Sequence, residues 1–337
     1  KHKDPPVIGP LPEQLGLVIG NQIYIPKVGL TPSLRNRLIR LAAFQNPDFY
    51  QAQGMRLSTY GKPRIISCCE DFPKHLGLPR GCMDELTALF ESLQIKTNLV
   101  DERYAGAHLA VQFQGALRGE QQQAADSLLQ HETGLLAAST AFGKTVVAAY
   151  LIAQRQVNTL VIVHRRQLLD QWIQTLSQFL GLSSKDIGQI GGGKHKPNGN
   201  LDVAMIQSLS KKGVVSDIVG NYGYLIVDEC HHISAVSFEQ VVRQSKAKYV
   251  TGLSATVTRK DGHQPIIFMQ CGPVRYSVND RDQADKRPFD HKVVVRQTKF
   301  KLPPHLQNIA AQSIQDVYSS LEKDDERNQM IVEDVVD

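Results

Sequence analysis

The amino-acid sequence predicts an α/β protein in which a doubly wound parallel sheet follows a small N-terminal α+β domain. From Phe113 onward, short apolar runs alternate with helical periodicity, the pattern of a parallel sheet covered by helices on both faces. Two of these runs, 160–163 and 225–227, consist of Val, Ile and Leu, which is typical of strands buried on both faces. The predicted strands of the sheet are 135–138, 159–163, 202–206, 224–227 and 249–253.

The residues before the sheet, 1–112, predict a smaller domain of mixed helices and strands. Gly20-Asn21 separates two apolar runs, which indicates a β-hairpin. Leucines at helical spacing predict a helix over 32–45 with Thr31 as its N-cap, and the opposite face of that helix is either solvated or contacts nucleic acid through Arg35, Arg37 and Arg40. The other predicted elements are a strand at 64–68, a helix at 83–93 and a strand at 95–100.

Composition indicates what kind of protein this is and in which compartment it lies. No apolar run approaches the roughly 20 residues that a membrane-spanning helix needs, and the start at Lys1 without Met or a signal peptide suggests a segment of a longer chain. Five cysteines, an odd number, do not indicate a disulfide framework, so we expect a cytoplasmic location. The net charge of +5 is compatible with nucleic-acid binding but does not require it.

Several residues outside the main motifs are predicted to have structural rather than chemical roles. Cys68, Cys69, His75 and Cys82 do not have the spacing of a zinc site. The segment 191–197, Gly-Gly-Gly-Lys-His-Lys-Pro, predicts a flexible surface loop, and its glycines do not indicate a second nucleotide site. Trp172, Cys271 and His232 are expected to have structural roles, the first two in the core.

A short loop between a predicted strand and a helix carries the first chemical motif. Its sequence, 138–145, is Ala-Ser-Thr-Ala-Phe-Gly-Lys-Thr, which fits the phosphate-binding pattern G-x-x-x-x-G-K-[ST] except for Ala138 at the first position. In such loops backbone N–H groups face phosphate oxygens, the lysine reaches the β- and γ-phosphates and the hydroxyl holds Mg²⁺. Lys144 and Thr145 are the candidates here.

A second motif follows an apolar strand. Asp228 and Glu229 come directly after 225–227, and ligands of open α/β sheets bind at the carboxyl ends of the strands. Asp228 is the candidate to complete the Mg²⁺ site with Thr145, and Glu229 the candidate to polarise the attacking water. Lys144, Asp228 and Glu229 are therefore the predicted catalytic residues, with ATP and Mg²⁺ as the expected cofactors.

These motifs, in this order, resemble helicase superfamily 2 over about residues 113–280. Asp228-Glu229-Cys230-His231 looks like its DExH box, and Ser254-Ala255-Thr256 resembles its Ser-Ala-Thr motif. The resemblance implies a RecA-like first lobe and an ATP-dependent helicase or double-stranded DNA translocase. It also implies that His231, Ser254 and Thr256 couple the two motifs.

The segment before the phosphate loop is similar to the branch that contains type I and type III restriction translocases and the xeroderma pigmentosum group B repair helicase. In that branch the glutamine of this segment reads adenine, so the resemblance gives that role to Gln121. The nucleotide-binding residues it implies are Arg118, Gln121, Ala141, Phe142, Gly143, Lys144 and Thr145. Segments similar to the family's DNA-contacting motifs, and the basic residues after Thr256, contribute His164, Arg165, Arg166, Gln207, Ser208, Arg259 and Lys260.

Two departures from that branch bear on function. Ala138 replaces the first loop glycine, which superfamily 2 tolerates. Arg259-Lys260-Asp261 stands where the repair helicase has Arg-Glu-Asp, an element linked to unwinding. The reversed middle charge favours ATP-driven movement over strand separation.

The final segment, 281–337, predicts a strand over 292–296 and a polar helical stretch over 305–337. It is too short for a second lobe. We therefore expect it to lead to a second RecA-like lobe that is absent here, and expect this chain alone to hydrolyse ATP slowly. Residues 1–112 resemble a DNA-engaging module of the same branch. Two alternatives stay open: a nucleic-acid-binding module with a regulatory ATP site, and the motor subunit of a restriction or anti-phage system with an associated nuclease or primase-like domain.

Overall fold

The computed structural model describes residues 6–211, 213–232, 235–256, 261–278, 295–303 and 314–336. It forms two compact units, Lys1–Asp285 and Lys286–Asp337. Within the described residues, no helix is long and apolar enough to cross a membrane. The same residues contain no cluster of His, Cys, Asp or Glu that could hold a metal ion.

The N-terminal part of the first unit is built on a five-stranded sheet with strand order β5-β6-β2-β1-β7. Its first two strands form the predicted antiparallel hairpin, and β1 also pairs in parallel with β7. The elements are β1 Gln14–Ile19, β2 Ile23–Pro26, α1 Pro32–Leu41, β3 Ala43–Gln45, α2 Pro47–Gly54, β4 Ile65–Ser67, β5 Glu70–Asp71, β6 His75–Leu78, α3 Met83–Ser92 and β7 Lys96–Asp101.

The helix α1 begins as the sequence predicts but ends earlier. The backbone N–H of Leu34 donates to Thr31 Oγ1 at 3.3 Å, which confirms the cap. The prediction that the helix continues to residue 45 is wrong, because residues 43–45 form β3 and pair antiparallel with β4. The pairing partner lies 20 residues further along the chain, so helical periodicity alone does not reveal it.

The larger sheet has eight strands in the order β11-β10-β12-β9-β15-β16-β8-β17. All neighbours are parallel except β10 and β11, and the five predicted strands are confirmed with small shifts. Its strands are β8 Thr133–Ala137, β9 Thr159–Val163, β10 Gly188–Gly191, β11 Lys194–Lys196, β12 Leu201–Met205, β15 Tyr224–Val227, β16 Tyr249–Ser254 and β17 Val274–Ser277; β13 Ser210–Lys211 and β14 Val214–Val215 form a separate pair.

Helices cover both faces of this sheet. The helices of the lobe are α4 Gly119–Leu129, α5 Lys144–Arg155, α6 Arg166–Leu180, α7 Ile206–Leu209, α8 Ala235–Gln244 and α9 Gln264–Cys271. Neighbouring strand residues face opposite cores: Leu160 and Ile162 belong to one cluster and Val161 and Val163 to the other. The first cluster includes side chains of α7, α8 and α9, and the second includes side chains of α4, α5 and α6. The fold is therefore the expected doubly wound α/β lobe.

The glycine segment at 191–193 is an ordered hairpin turn, which corrects the prediction of a flexible loop. Gly191, Gly192 and Gly193 have φ values of +118°, +62° and +88°, conformations that residues with a Cβ rarely adopt. They let β10 turn back into β11, where Ile190 pairs with His195. The role of the glycines is therefore to allow the backbone conformation of this turn at the sheet edge.

The core of the N-terminal sheet continues into the core on the α8 and α9 face of the lobe. Gly81 is in close contact there, since a Cβ at this position would lie 2.2 Å from Phe268 O. Arg275 forms an ion pair with Asp84 at 2.7 Å, and Asn21 Nδ2 donates to Arg243 O at 3.0 Å. The first 112 residues thus pack closely against the lobe, and the domain boundary at residue 112 stays a prediction.

The second unit contains α10 Ile314–Glu322 and α11 Asp325–Val336. Arg296 pairs with Asp334 at 2.7 Å, and Lys299 with Glu326 at 3.3 Å. The predicted helical stretch 305–337 is thus two helices where it is described. Of the strand predicted over 292–296, residues 292–294 lie outside the described residues, and 295–296 are not in a strand.

The contact at Gly81 gives the first prediction. Gly81→Ala should lower the free energy of unfolding by about 1–3 kcal/mol, because the added methyl group meets backbone atoms of α9 that have little room to move. Urea denaturation would measure this change. Gly16→Ala in β1 is the matched control, since nothing lies within 4 Å of the new methyl group. Equal stability of the two variants would contradict the close packing at Gly81.

Candidate active site

The parallel strands bring the sequence motifs to one edge of the sheet. The phosphate-loop sequence follows β8, the acidic pair follows β15 and Ser254 ends β16. In register, Ala137 lies beside Ser254 and Val227 beside Gly252. Since parallel strands end on the same side, residues that are distant in the sequence meet at this edge.

The loop after β8 reverses direction at Gly143. This residue has φ +85° and directly precedes α5, and a Cβ there would lie 2.6 Å from Gln121 Nε2. Both backbone conformation and space therefore require glycine. Ala141 is exposed and Thr145 half-buried, so the loop presents small groups and backbone at the start of a helix.

Arg118 and Gln121 contact this loop from the start of α4. Gln121 Nε2 donates to Phe142 O at 2.8 Å, and an Arg118 guanidinium N–H donates to the same carbonyl. The Arg118 backbone N–H donates to Gln121 Oε1 at 3.0 Å. The Phe142 side chain is only 1% exposed and packs in the core. Its backbone, but not its ring, therefore faces the two polar side chains.

Lys144 is a buried cation within the loop, with 5% of its surface exposed. Its Nζ donates to Ala138 O at 2.9 Å and to Ser139 O at 3.3 Å. Glu229 Oε1 lies 3.5 Å from the same nitrogen. The charged Lys144 Nζ is thus paired at the sheet edge with two backbone carbonyls and one carboxylate, partners that other oxygen acceptors can replace.

Asp228 is held by two N–H donors, one on each carboxylate oxygen. Trp172 Nε1–H donates to Oδ2 at 2.7 Å, and the Glu229 backbone N–H donates to Oδ1 at 2.9 Å. Burial raises the pKa of Asp228 from 3.8 to about 6, although the Trp172 hydrogen bond opposes the rise. The carboxylate is therefore fixed in direction but poorly solvated.

Glu229 has an unusual backbone conformation, with φ +47°. A non-glycine residue in the left-handed region costs of order 1–3 kcal/mol and is enriched at functional sites. Its Oε2 lies 3.2 Å from His231 Nδ1, yet it has no hydrogen-bond partner of good geometry within the described part of the chain. A buried carboxylate oxygen of this kind has the capacity to accept a further hydrogen bond.

His231 connects the acidic pair to the end of β16. Its Nδ1 lies 2.8 Å from Ser254 Oγ, and Ser254 Oγ–H donates to Thr256 O. Because that hydroxyl hydrogen is already used, Ser254 accepts from His231, which assigns the proton to Nδ1. Ser254 O also accepts the Ala138 N–H at 3.0 Å. The three predicted coupling residues thus meet one another and the phosphate loop.

The predicted nucleic-acid residues lie along the same edge, beyond β9 and β12. Gln207 Nε2 donates to His164 O at 3.0 Å, which joins the two segments. Arg165 and Arg166 are exposed, and Ser208 is half-buried. Arg259 and Lys260 lie outside the described residues. Of the basic face predicted on α1, Arg35 is paired with Asp71 at 2.5 Å.

Two residues that sequence reasoning did not place at this edge are Lys194 and Lys196, which are exposed on β11. The adjoining turn lies near the basic surface, since a Cβ on Gly191 would lie 2.9 Å from Ser208 Oγ and one on Gly192 would lie 3.5 Å from Arg166 Cγ. The sequence signal was available, because a glycine turn followed by Lys-His-Lys places cations on a hairpin.

A cleft of about 270 Å³ lies between the acidic motif and the basic segment after β9. Its lining residues are His164, Arg165, Gln167, Leu168, Gln171, Glu229, His231 and Ala255. A larger cavity of about 810 Å³ lies between α1, α3 and α9, but neither the phosphate loop nor the acidic pair lines it. We assign the site on its chemistry, at the smaller cleft and the adjacent loop.

The fold and this arrangement resemble the ATP-binding lobe of superfamily 2 helicases. Residues 114–259 match the family described as the type III restriction enzyme res subunit. Helicases of this family use ATP. The five predicted strands and every predicted site residue except Lys260 lie within the matched segment.

Two relatives are similar to this chain over about half of its length. The DNA 3′-5′ translocase XPB2 of Sulfurisphaera tokodaii is 28% identical over 177 residues, which are 52% of this chain and 39% of the relative. A protein of Acanthamoeba polyphaga mimivirus, provisionally named an ATP-dependent RNA helicase, is 33% identical over 168 residues, 48% of this chain and 32% of the relative. The chain thus spans between a third and two fifths of their length.

Among solved structures, the UvsW helicase of bacteriophage T4 has a TM-score of 0.58 to this chain. The sequences are 15% identical, and the match covers 77% of this chain and 99% of that chain. At this level of identity the likeness concerns the fold. Because the match extends beyond half of the chain, the shared architecture includes more than residues 114–259.

The raised pKa of Asp228 gives the second prediction. The folded pKa of about 6 exceeds the reference 3.8, so the stabilisation from the protonated carboxyl is complete below about pH 4 and is lost as the pH rises through about 6. An asparagine side chain at this position would stay neutral throughout. It can accept only one of the two N–H bonds that Asp228 accepts, a cost that does not change with pH. Relative to the parent, the free energy of unfolding of Asp228→Asn should therefore be higher by about 1–3 kcal/mol at about pH 7.5 without Mg²⁺ than at about pH 4.

Urea denaturation of both proteins at the two pH values would measure that difference. Asp186→Asn, an exposed position, is the control and should show little change with pH. A gain from Asp228→Asn that is the same at both pH values would contradict the desolvation of this carboxylate.

Proposed function

We propose that this chain is the ATP-binding lobe of a nucleic-acid-dependent ATPase that acts as a helicase or a double-stranded DNA translocase. The observation that carries the proposal is the approach of Lys144 Nζ to within 3.5 Å of Glu229 Oε1, at an edge where His231 joins Glu229 to Ser254. A lysine at a helix start beside two strand-end acids is the constellation that phosphoryl transfer requires.

The residues at the sheet edge fit a nucleotide with Mg²⁺. Glu229 Oε2 is a buried acceptor without a well-directed donor in the described residues, and Gly143 leaves room where a side chain would intrude. Thr145 and Asp228 would hold the ion, an oxygen donor set that suits Mg²⁺. When bound, Mg²⁺ neutralises charge on the phosphate oxygens.

The roles of the protein side chains follow from their present contacts. Lys144 would exchange the Ala138 and Ser139 carbonyls for phosphate oxygens, which are stronger acceptors because they are charged. Glu229 would orient a water molecule and accept its proton, with His231 and Ser254 holding the carboxylate in place. Arg118 and Gln121, already at the loop, would bind the base.

The nucleic acid would lie along the exposed segments after β9, β12 and β10. Arg165, Arg166, Gln207 and Ser208 are the contacts proposed from sequence, and the hairpin adds Lys194. Such groups contact phosphates and so carry little sequence preference. The relative named a DNA translocase supports DNA, whereas the relative named an RNA helicase supports RNA as the alternative.

The complete motor would contain more than this chain. We propose that 281–337 connects to a second RecA-like lobe that supplies arginine to the transferring phosphate, a contribution worth about 10³ to 10⁵ in rate. Residues 1–112 would engage DNA beside the lobe. If the ATP site is instead regulatory, duplex DNA will not stimulate turnover in the full-length protein.

The third prediction concerns the phosphate loop. Lys144→Ala should abolish measurable binding of ATP in the presence of Mg²⁺, because it removes the cation that faces the phosphates. Isothermal titration calorimetry would measure the affinity, and circular dichroism would confirm folding. Lys185→Ala removes an exposed lysine that precedes β10, at the opposite edge of the sheet, and should bind like the parent. Unchanged affinity in Lys144→Ala would refute the assignment of the loop.

The fourth prediction concerns the basic edge. For duplex DNA, the logarithm of the binding constant should fall linearly with the logarithm of salt concentration, with a slope of about −0.9 for each phosphate neutralised. The double variant Arg165→Ala/Arg166→Ala should weaken binding and make the slope about 1–2 less negative. Fluorescence anisotropy across salt concentrations would measure both, again with Lys185→Ala as control. An unchanged slope would exclude this surface.

A further inference from the structure

The single tryptophan of the chain is buried, and its indole N–H, which needs a partner when buried, donates to a carboxylate. Trp172 is 1% exposed, and its indole N–H points at Asp228 Oδ2, 2.7 Å away. The partner is itself buried, with 5% exposed. A hydrogen bond to a buried carboxylate is stronger and more directional than one between neutral groups.

The carboxylate of Asp228 has few other supports. Oδ1 accepts the backbone N–H of Glu229, which comes from the next residue and therefore moves with it. Trp172 lies 56 positions away on α6. The backbone of Asp228 is fixed to β9 by its N–H, which donates to Ile162 O at 2.9 Å, but among the described residues it is the Trp172 bond that fixes the carboxylate relative to another element. Without the indole, the buried Oδ2 would lose its hydrogen-bond donor, which is costly for a buried charged group.

We propose that Trp172 is a positioning residue for Asp228, holding Oδ2 so that the remaining lone pairs of the carboxylate are directed at the ion site beside the phosphate loop. This inference rests on the proposed function, since it assumes that Asp228 helps to hold Mg²⁺ with ATP. It gives a side chain that packs in the core a second role, which is to orient a metal ligand. In this role an N–H donor fixes the carboxylate before the ion binds.

The main test is the Mg²⁺ dependence of ATP binding. Trp172→Phe keeps an aromatic ring in the core but removes the N–H donor. Removal of an outer partner of a metal ligand costs roughly 10- to 100-fold in metal affinity, so Trp172→Phe should need that much more Mg²⁺ for half-maximal ATP binding. Isothermal titration calorimetry at a series of Mg²⁺ concentrations would measure this, without reliance on turnover.

A matched control separates positioning from packing. Leu176 lies one turn later on α6 and is fully buried, and its side chain has no N–H that could donate to Asp228. Leu176→Ala should destabilise the protein at least as much as Trp172→Phe, because it leaves a cavity, and yet bind ATP with the parent's Mg²⁺ dependence. In an Asp228→Asn background, Trp172→Phe should add no further change, since the bond it removes no longer serves a metal ligand.

A second measurement uses the parent side chain and does not depend on how Trp172→Phe folds. The chain has one tryptophan, so ¹⁵N-labelled protein gives one indole N–H resonance. The hydrogen bond to a carboxylate should place it downfield, and Asp228→Asn should move it upfield. Addition of ATP with Mg²⁺ should also shift it in the parent protein.

The outcomes distinguish this inference from the proposed function. If the parent binds no ATP at any Mg²⁺ concentration, the proposed function fails, and with it the basis of the inference. If the parent binds ATP but Trp172→Phe has the same Mg²⁺ dependence, Trp172 is a core residue only. An indole resonance that does not respond to Asp228→Asn would likewise overturn the proposal.

Discussion

The structure depends on one constraint, the parallel alignment of β8, β16, β15 and β9, which ends four strands at the same edge. Each strand is buried on both faces, so a shift by one residue would exchange the two faces and is opposed by the whole core. The loops after these strands therefore have fixed positions. Charged side chains on those loops are held within a few ångströms of one another although they are distant in sequence.

Burial at that edge makes the charged residues depend on one another. Lys144 and Asp228 are almost fully buried, and isolated buried charges are costly. Lys144 lies between two carbonyls and Glu229, Asp228 between an indole N–H and a backbone N–H, and Glu229 beside His231. Each group thus compensates in part for the burial of the next. Glu229 Oε2 still has the capacity to accept a further hydrogen bond.

Much of this was predictable from sequence because the signals are local. The apolar runs gave the five strands, and the Gly-Lys-Thr loop and acidic pair gave the residues of the edge. The errors arose where a distant partner decides the outcome. Residues 43–45 leave the helix to pair with β4. Trp172 lies in the core as predicted, but nothing near it in the sequence indicates that Asp228 accepts its N–H. The roles of the site residues stay predictions.

The helix α6 connects the two functions proposed for the edge. It begins at Arg166 on the basic surface and carries Trp172 further along the same helix, at a distance of about 9 Å along the helix axis. Four buried side chains fix it to the sheet, namely Leu169, Trp172, Leu176 and Leu180. If a phosphate contact displaced the first turn of α6, the whole helix would therefore move with it as a rigid body. Since Trp172 bonds to Asp228, such a displacement would change the direction of that carboxylate, and the proposed nucleic-acid and nucleotide sites would then be coupled through α6.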